Sequence, residues 1–278
     1  MSRMVKSQDE SEGIGFFWDL YPTRLLFWQG PEDLVAQKSG HPIFWREFLL
    51  SVMASRRLNV IRMGIVGYAQ ASELQRLLVD RRRAGLIGNT LLSLQHPPTF
   101  TVGKRKTMHN LLATPDVLAG LGVEVHESDR GGDITFHGPR QAILYPILAL
   151  NQMNLGARKY VEGLEDSMIN TAALYGVQAL GRFKKRTGIW VEDRKLGAIG
   201  VKISSGSITS HGLAFNIDPD LEFFTHIVPC GISDKEVTSL RKESYVPIPG
   251  EDVVTEQLIE SFANVFKLDK HTLDLDDL

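Results

Sequence analysis

Cys230 is the only cysteine in the 278-residue chain, and it sits between a proline and a glycine in HIVPCGISDKEVTSL, residues 226–240. A thiol in such a stretch is either a small buried hydrophobe or a nucleophile. Three further stretches carry side chains that could act with it. RGGDITFHGPRQ, Arg130 to Gln141, sets two adjacent glycines between an arginine and His137. Glycines there either let the backbone approach a ligand closely or form a bulge between two strands. The run has neither GxGxxG spacing nor the lysine of a phosphate loop. DRKLGAIG, Asp193 to Gly200, places Lys195 on a predicted turn, where a lysine is normally solvated. Gly197, Ala198 and Gly200 follow it and are small enough to let the strand lie against another group. TSHGLAFNID carries His211 in a predicted half-buried strand, as a satisfied core residue or as a catalyst.

The elements that must position these groups begin near residue 57. LNVIRMGIV reads as a strand, and AQASELQRLLVDRRRAG as a helix with Leu74, Leu77 and Leu78 on one face. TLLSLQ is a strand stopped by His96-Pro97-Pro98, and TFTVGKR resumes extended structure. TPDVLAGLG has Thr114 as N-cap, Pro115 at the first helical position and Gly120 at the stop. VEVHE, GDITFHG and QAILYPILAL are three extended runs, followed by a long helix presenting Val161, Leu164, Met168, Ala172 and Tyr175. GIWVEDRKLGAIGVKI reads as a hairpin around the turn EDRK, and ITSHGLAFNI as another strand. The amphipathic helix EDVVTEQLIESFANVF precedes an acidic tail. Hairpins with uneven helix spacing predict an α+β fold, a mixed β-sheet flanked by helices, rather than strict βαβ alternation.

Composition narrows the function classes. A net charge of -2 steers the molecule toward neither nucleic acid nor an anionic membrane, and no apolar run reaches 18 residues. One cysteine excludes an internal disulfide and the usual cysteine-based zinc sites, and favours a reducing compartment. Residues 1–52 are patchy, with FFW, LLFW and IFW between polar stretches, and read as an extension that is poorly ordered or related to targeting. Residues 53–278 read as one catalytic domain. Met53 opens MASRRLNVIRMG, with three arginines and no acid before Glu73; this suits a matrix-targeting start, or simply the first strand.

Together, HPPTFTVGKR, RGGDITFHGP, TGIWVEDRKLGAIGVKI, SHGLAFN and HIVPCGISDKEVTSL resemble the lipoyl(octanoyl) transferase family over roughly residues 58 to 245. The resemblance implies a fold similar to the catalytic domain of lipoate and biotin protein ligases. It implies octanoyl transfer from octanoyl-acyl carrier protein to the lysine of lipoyl domains, in 2-oxoacid dehydrogenase subunits and the glycine cleavage H protein. Cys230 matches the acyl-thioester nucleophile, and Lys195 the lysine that depresses its pKa. Arg130, Gly131, Gly132, Asp133, Ile134, Thr135, Phe136 and His137 would line the acyl-substrate site with Ala198, Ile199, Gly200, His211, Gly212 and Leu213. Neither ATP nor a metal is implied, and the location would be mitochondrial, or otherwise cytoplasmic. Two departures stand out: Arg140 occupies a position where many members have glycine, and residues 1–52 have no counterpart.

The chemistry is consistent with that implication. An unperturbed thiol of pKa ~8.5 is only about 3% thiolate at pH 7. A neighbouring ammonium that lowers the pKa by ~1.5 units makes it roughly half ionised. Three rivals remain: an ATP-dependent ligase on the same fold, a non-catalytic binder of lipoyl or carrier domains, and a Cys–His hydrolase using His211 or His137.

Overall fold

The structure, a computed structural model, describes residues 56–277 apart from Thr107, Lys185 and residues 229–235. Cys230 and the N-terminal extension therefore lie outside the described residues. The strands are β1 (Arg57–Ile65), β2 (Asn89–Gln95), β3 (Thr99–Val102), β4 (Glu124–Glu127), β5 (Ile134–His137), β6 (Gln141–Ile147), β7 (Ile189–Val191), β8 (Arg194–Ser204), β9 (Ile208–Asn216), β10 (Glu236–Val237) and β11 (Asp269–Thr272). The helices are α1 (Tyr68–Arg83), α2 (Pro115–Leu121), α3 (Ala157–Ala173), the single turn α4 (Leu240–Glu243) and α5 (Glu251–Phe266).

The main sheet runs β10-β8-β9-β6-β2-β1-β11, with β7 also paired to β8. β1–β2, β1–β11 and β10–β8 are parallel; the other pairs in this sheet are antiparallel. This is the expected mixed sheet. Helices cover both faces, which explains why β2 is buried along nearly its whole length instead of alternating. Leu91 faces the core shared with Leu164 and Met168 of α3 and Leu258 and Phe262 of α5. Leu92 and Leu94 face the core shared with Ala71, Leu78 and Val79 of α1. A second sheet, β4-β3-β5, closes on its own apolar cluster of Phe100, Ile134, Phe136 and Phe224.

Local chemistry accounts for the element boundaries. The Thr114 hydroxyl accepts from Val117 N–H and Pro115 opens α2, as expected, but the helix runs through Gly120. It ends where Gly122 takes the left-handed conformation, φ 64°. In α3, Leu164, Met168 and Ala172 are buried as predicted, with Tyr160 rather than half-buried Val161 completing the stripe. The predicted four-residue turn EDRK is shorter in the structure. Val191 pairs Arg194 and Trp190 pairs Lys195, so only Glu192 and Asp193 turn, and Lys195 lies inside β8. Between the last helix and the acidic tail, Asp269–Thr272 forms β11 on the edge of β1, a strand not predicted.

Candidate active site

Residues of β5, β6, β8 and β9, the loop 130–133 and the first turn of α1 meet around one cavity. Of the residues singled out above, Lys195, Arg130, Gly132, Asp133, Ile134, Thr135, His137, Ala198, Ile199, Gly200, His211, Gly212 and Leu213 line it. Tyr68, Tyr145 and Ala214 complete the wall, none of them anticipated. Two predicted residues do not line it. Gly131 donates its N–H to Val201 O at 2.9 Å. The Phe136 ring stacks on Phe223 with centroids 4.6 Å apart, inside the core of the small sheet. Along β5, Phe136 faces the small-sheet core while Thr135 and His137 face the cavity; Ile134, at the start of the strand, touches both.

Arg130 is buried, and its guanidinium serves the loop that carries it. Nη2 donates to Thr101 O and Asp133 O, both at 2.7 Å, and Nη1 donates to Gly131 O at 3.0 Å. Thr101 Oγ1 accepts as well, from Nη2 at 2.9 Å. The guanidinium is thus engaged with three backbone carbonyls. Gly132 has φ +95°, a conformation closed to most side chains, so backbone shape alone calls for glycine there. Buried Asp133 is held by Asn110 Nδ2 at 2.8 Å and Ile134 N–H at 2.7 Å.

Lys195 is buried, and its ammonium lies 4.8 Å from the centroid of the Trp190 ring. This is a cation–π contact. The two-residue turn sets Trp190 opposite Lys195; reading EDRK as the turn hides the pairing. On the far side of Lys195, Val237 of β10 is its parallel partner, and Thr238 N–H donates to Lys195 O at 2.9 Å. The chain emerging from the cysteine stretch is therefore fastened to the lysine's own strand.

Tyr68, Tyr145, His137 and His211 belong to the cavity wall, and His96 is hydrogen-bonded to Tyr145 without lining it. His96 Nδ1 lies 2.6 Å from Val66 O, which can only accept, so Nε2 accepts from Tyr145 OH at 3.0 Å. Burial pushes His96 down to about 4 and His137 down to about 3, so both rings are neutral at pH 7. His137 Nδ1 lies 2.8 Å from Gln141 Oε1. His211 Nε2 lies 2.8 Å from Asp129 Oδ1, and Asp129 also pairs with Lys202. Burial lowers His211 despite that carboxylate, while for Asp129 burial is outweighed by its bonds to Lys202 and His211, which hold it below the ordinary carboxylate range. His211 has φ 53° within β9, and its N–H leaves the ladder for Gln75 Oε1 at 2.6 Å. A β-carbon on the adjacent Gly212 would fall 2.1 Å from Leu144 O, so β9 and β6 approach closely beside the cavity.

Comparisons with known proteins agree with this architecture. The lipoyl protein ligase A/B catalytic domain matches residues 67–266. The chain is 58% identical over 214 residues to the mitochondrial octanoyltransferase LIP2 of Arabidopsis thaliana, covering 77% of this chain and 91% of that protein. It is 48% identical over 223 residues to the octanoyltransferase of Acidobacterium capsulatum, covering 75% and 88%. Among solved structures, the lipoic acid complex of Ta0514, a putative lipoate protein ligase from T. acidophilum, superposes with a TM-score of 0.63 at 13% identity, covering 79% of this chain and 90% of that one. Lipoate-protein ligase A bound with ATP gives 0.61 at 12%, covering 79% and 88%. At those identities the two structures share a fold with this chain.

Proposed function

Because the chain belongs to the lipoyl protein ligase A/B catalytic-domain family, and within it to the octanoyltransferases, we propose that it moves octanoyl from acyl carrier protein to the lysine of lipoyl domains through a Cys230 thioester. It is an acyltransferase serving protein lipoylation; the donor, the thioester and the target are the steps proposed. The observation that carries the reading is the pairing of β10 with β8, which brings the chain following Cys230 alongside Lys195. The Cys230 thiolate attacks the donor's thioester carbonyl, the C–S bond to the carrier breaks, and the carrier sulfur leaves as a thiol with the proton of Lys195. The acceptor lysine's neutral amine then attacks the acyl-enzyme, the new amide forms, and Cys230 leaves as the thiolate. Lys195, charged over Trp190, stabilises the thiolate; once the sulfur is acylated, neutral Lys195 takes the proton of the incoming amine.

Small and apolar residues, Ala198, Ile199, Gly200, Gly212 and Leu213, make the wall suited to an octanoyl chain. Arg130 shapes the loop through Asp133, and Thr135 and His137 supply polar contacts. Lipoyl domains of 2-oxoacid dehydrogenase subunits and the glycine cleavage H protein are the proposed acceptors, and the mitochondrion, where the Arabidopsis relative's name places that protein, is the proposed location. Residues 53–278 are proposed to suffice for activity, residues 1–52 being an extension.

Incubation with octanoyl-carrier protein and no nucleotide should add one octanoyl to the intact mass of wild type and none to Cys230→Ala. Lys195→Met should shift the pH dependence of iodoacetamide alkylation toward an unperturbed thiol, cutting the thiolate fraction at neutral pH roughly tenfold. An unchanged alkylation pKa would remove Lys195 from the dyad.

A further inference from the structure

Gln141 and Asn216 stand directly opposite one another in the β6–β9 register, and neither lines the cavity. Both are buried, at 2% and 4% exposure, so bulk water cannot orient their amides. The direction of each amide follows from one end of the chain they form. Thr238 O is a backbone carbonyl and can only accept; Asn216 Nδ2 donates to it at 2.9 Å. Asn216 Oδ1 then points the other way and accepts from Gln141 Nε2 at 2.8 Å. That fixes Gln141 Oε1 against His137 Nδ1, where an oxygen can only accept, so Nδ1 carries the ring's proton. No described residue contacts Nε2 through a hydrogen bond, and the His137 side chain is part of the cavity wall.

We propose that Gln141 and Asn216 are positioning residues that lock His137 in its Nδ1–H tautomer, leaving Nε2 as a hydrogen-bond acceptor for a substrate N–H in the cavity. Two N–H sources fit that acceptor, an amide of the donor's thioester arm and the amine of the acceptor lysine. The relay also has a fixed origin. Thr238 N–H binds Lys195 O and its hydroxyl donates to Glu243 Oε1 at 2.6 Å. One residue thus anchors both the lysine's strand and the histidine's tautomer. Burial, His96 and Arg130 all disfavour a protonated ring, and His211 adds to them, while the Gln141 bond alone opposes. The ring accordingly stays neutral through the physiological range.

The tautomer is read from the full chain labelled with ¹⁵N-histidine, with His137→Gln identifying the signals. The expected spectrum has a protonated Nδ1, a bare Nε2 and no titration between about pH 5.5 and 8, given an ordinary histidine pKa of ~6.5. A ring protonated at Nε2, or one that titrates near its ordinary value, would overturn the assignment. Gln141→Met and Asn216→Leu should both release the lock and bring Nε2–H signals into the spectrum. The kinetic half of the inference rests on the transferase reading: single turnovers should slow by roughly 10- to 100-fold, the usual scale for losing an outer orienting partner. A slowed acyl-enzyme formation identifies the donor amide as the N–H source, and a slowed second step identifies the amine. If a folded variant switches tautomer with both steps unchanged, the positioning role is wrong. Should wild type gain no acyl mass at all, the transferase reading fails while the tautomer assignment is still decided by the spectrum.

Discussion

Replacing Arg130 separates a scaffold role from a ligand role. In Arg130→Met the aliphatic stem stays, but the carbonyls of Thr101, Gly131 and Asp133 lose their charged donor. A hydrogen bond from a charged donor is worth ~1.5–3 kcal/mol, so losing three costs about 5 kcal/mol before the loop relaxes, although Asp133 O keeps a bond from Gly103 N–H. That is comparable with the whole stability of an ordinary domain, ~5–15 kcal/mol. For a domain of this size about 1 kcal/mol moves Tm by ~2–4 °C, which predicts a fall of roughly 10–20 °C. Arg130→Lys keeps the charge but reaches fewer of these acceptors, and should recover at most half of the loss. Thermal unfolding by circular dichroism gives the midpoints, and acyl-enzyme formation is measured by intact mass well below the lower one. An Arg130→Met protein that melts within about 2 °C of wild type, yet fails to acylate, would refute the reasoning, because the guanidinium would then serve substrate rather than loop.

Acid should destabilise the fold through His96 and His137, whose folded pKa values of about 4 and about 3 lie below the unfolded value. Between ~6.5 and ~4 the unfolded chain binds more protons, so stability rises with pH, by up to ~1.4 kcal/mol per unit for each ring; urea midpoints at three pH values check the slope, and a flat profile would contradict the buried neutral assignment. Gly212→Ala puts a β-carbon against Leu144 O and Pro146 Cδ and should cost about 3 kcal/mol, read as a lower urea midpoint; an unchanged midpoint would mean β6 yields freely. Arg140 holds φ 64° at the exposed corner before β6, pairing with Asp218 and, at 3.7 Å, Glu251. Arg140→Gly should relieve ~1 kcal/mol of backbone strain while losing ion pairs worth ~0–1 kcal/mol, leaving Tm nearly unchanged; a fall of several degrees would show the ion pairs dominating.

Much of the architecture was legible from the chain because its signals are local. The caps at Thr114 and Pro115, the stripe of Leu164, Met168 and Ala172, and the span Glu251–Phe266 all follow from short-range pattern. β11 was not, since Asp269, Lys270, His271 and Thr272 are all exposed and show no apolar alternation. β10 is two residues long and owes its existence to Arg194 and Lys195 across the sheet. Within the site, the family resemblance rather than residue type indicated what would line the cavity, and it did not say what each side chain touches. The hold of Arg130 on its own loop was hidden because one of its partners, Thr101, is 29 residues away in sequence. Tyr68, Tyr145 and Trp190 passed unnoticed since aromatic residues on buried elements look the same whether they face a core or a cavity.

The composition of β11 has a consequence for how the protein behaves in bulk. A sheet edge is a row of unpaired N–H and C=O groups on which another chain can build. Here β11 covers Leu58 and Val60 of β1, both buried, and presents outward a strand of Asp, Lys, His and Thr. At the opposite margin, β8 is bordered by strands of only two and three residues. Neither border offers the long, flat, apolar template on which aggregates grow. Among the described residues the last strand is thus a hydrophilic selvedge, and clipping it would bare the edge of β1 as a template for edge-to-edge self-association.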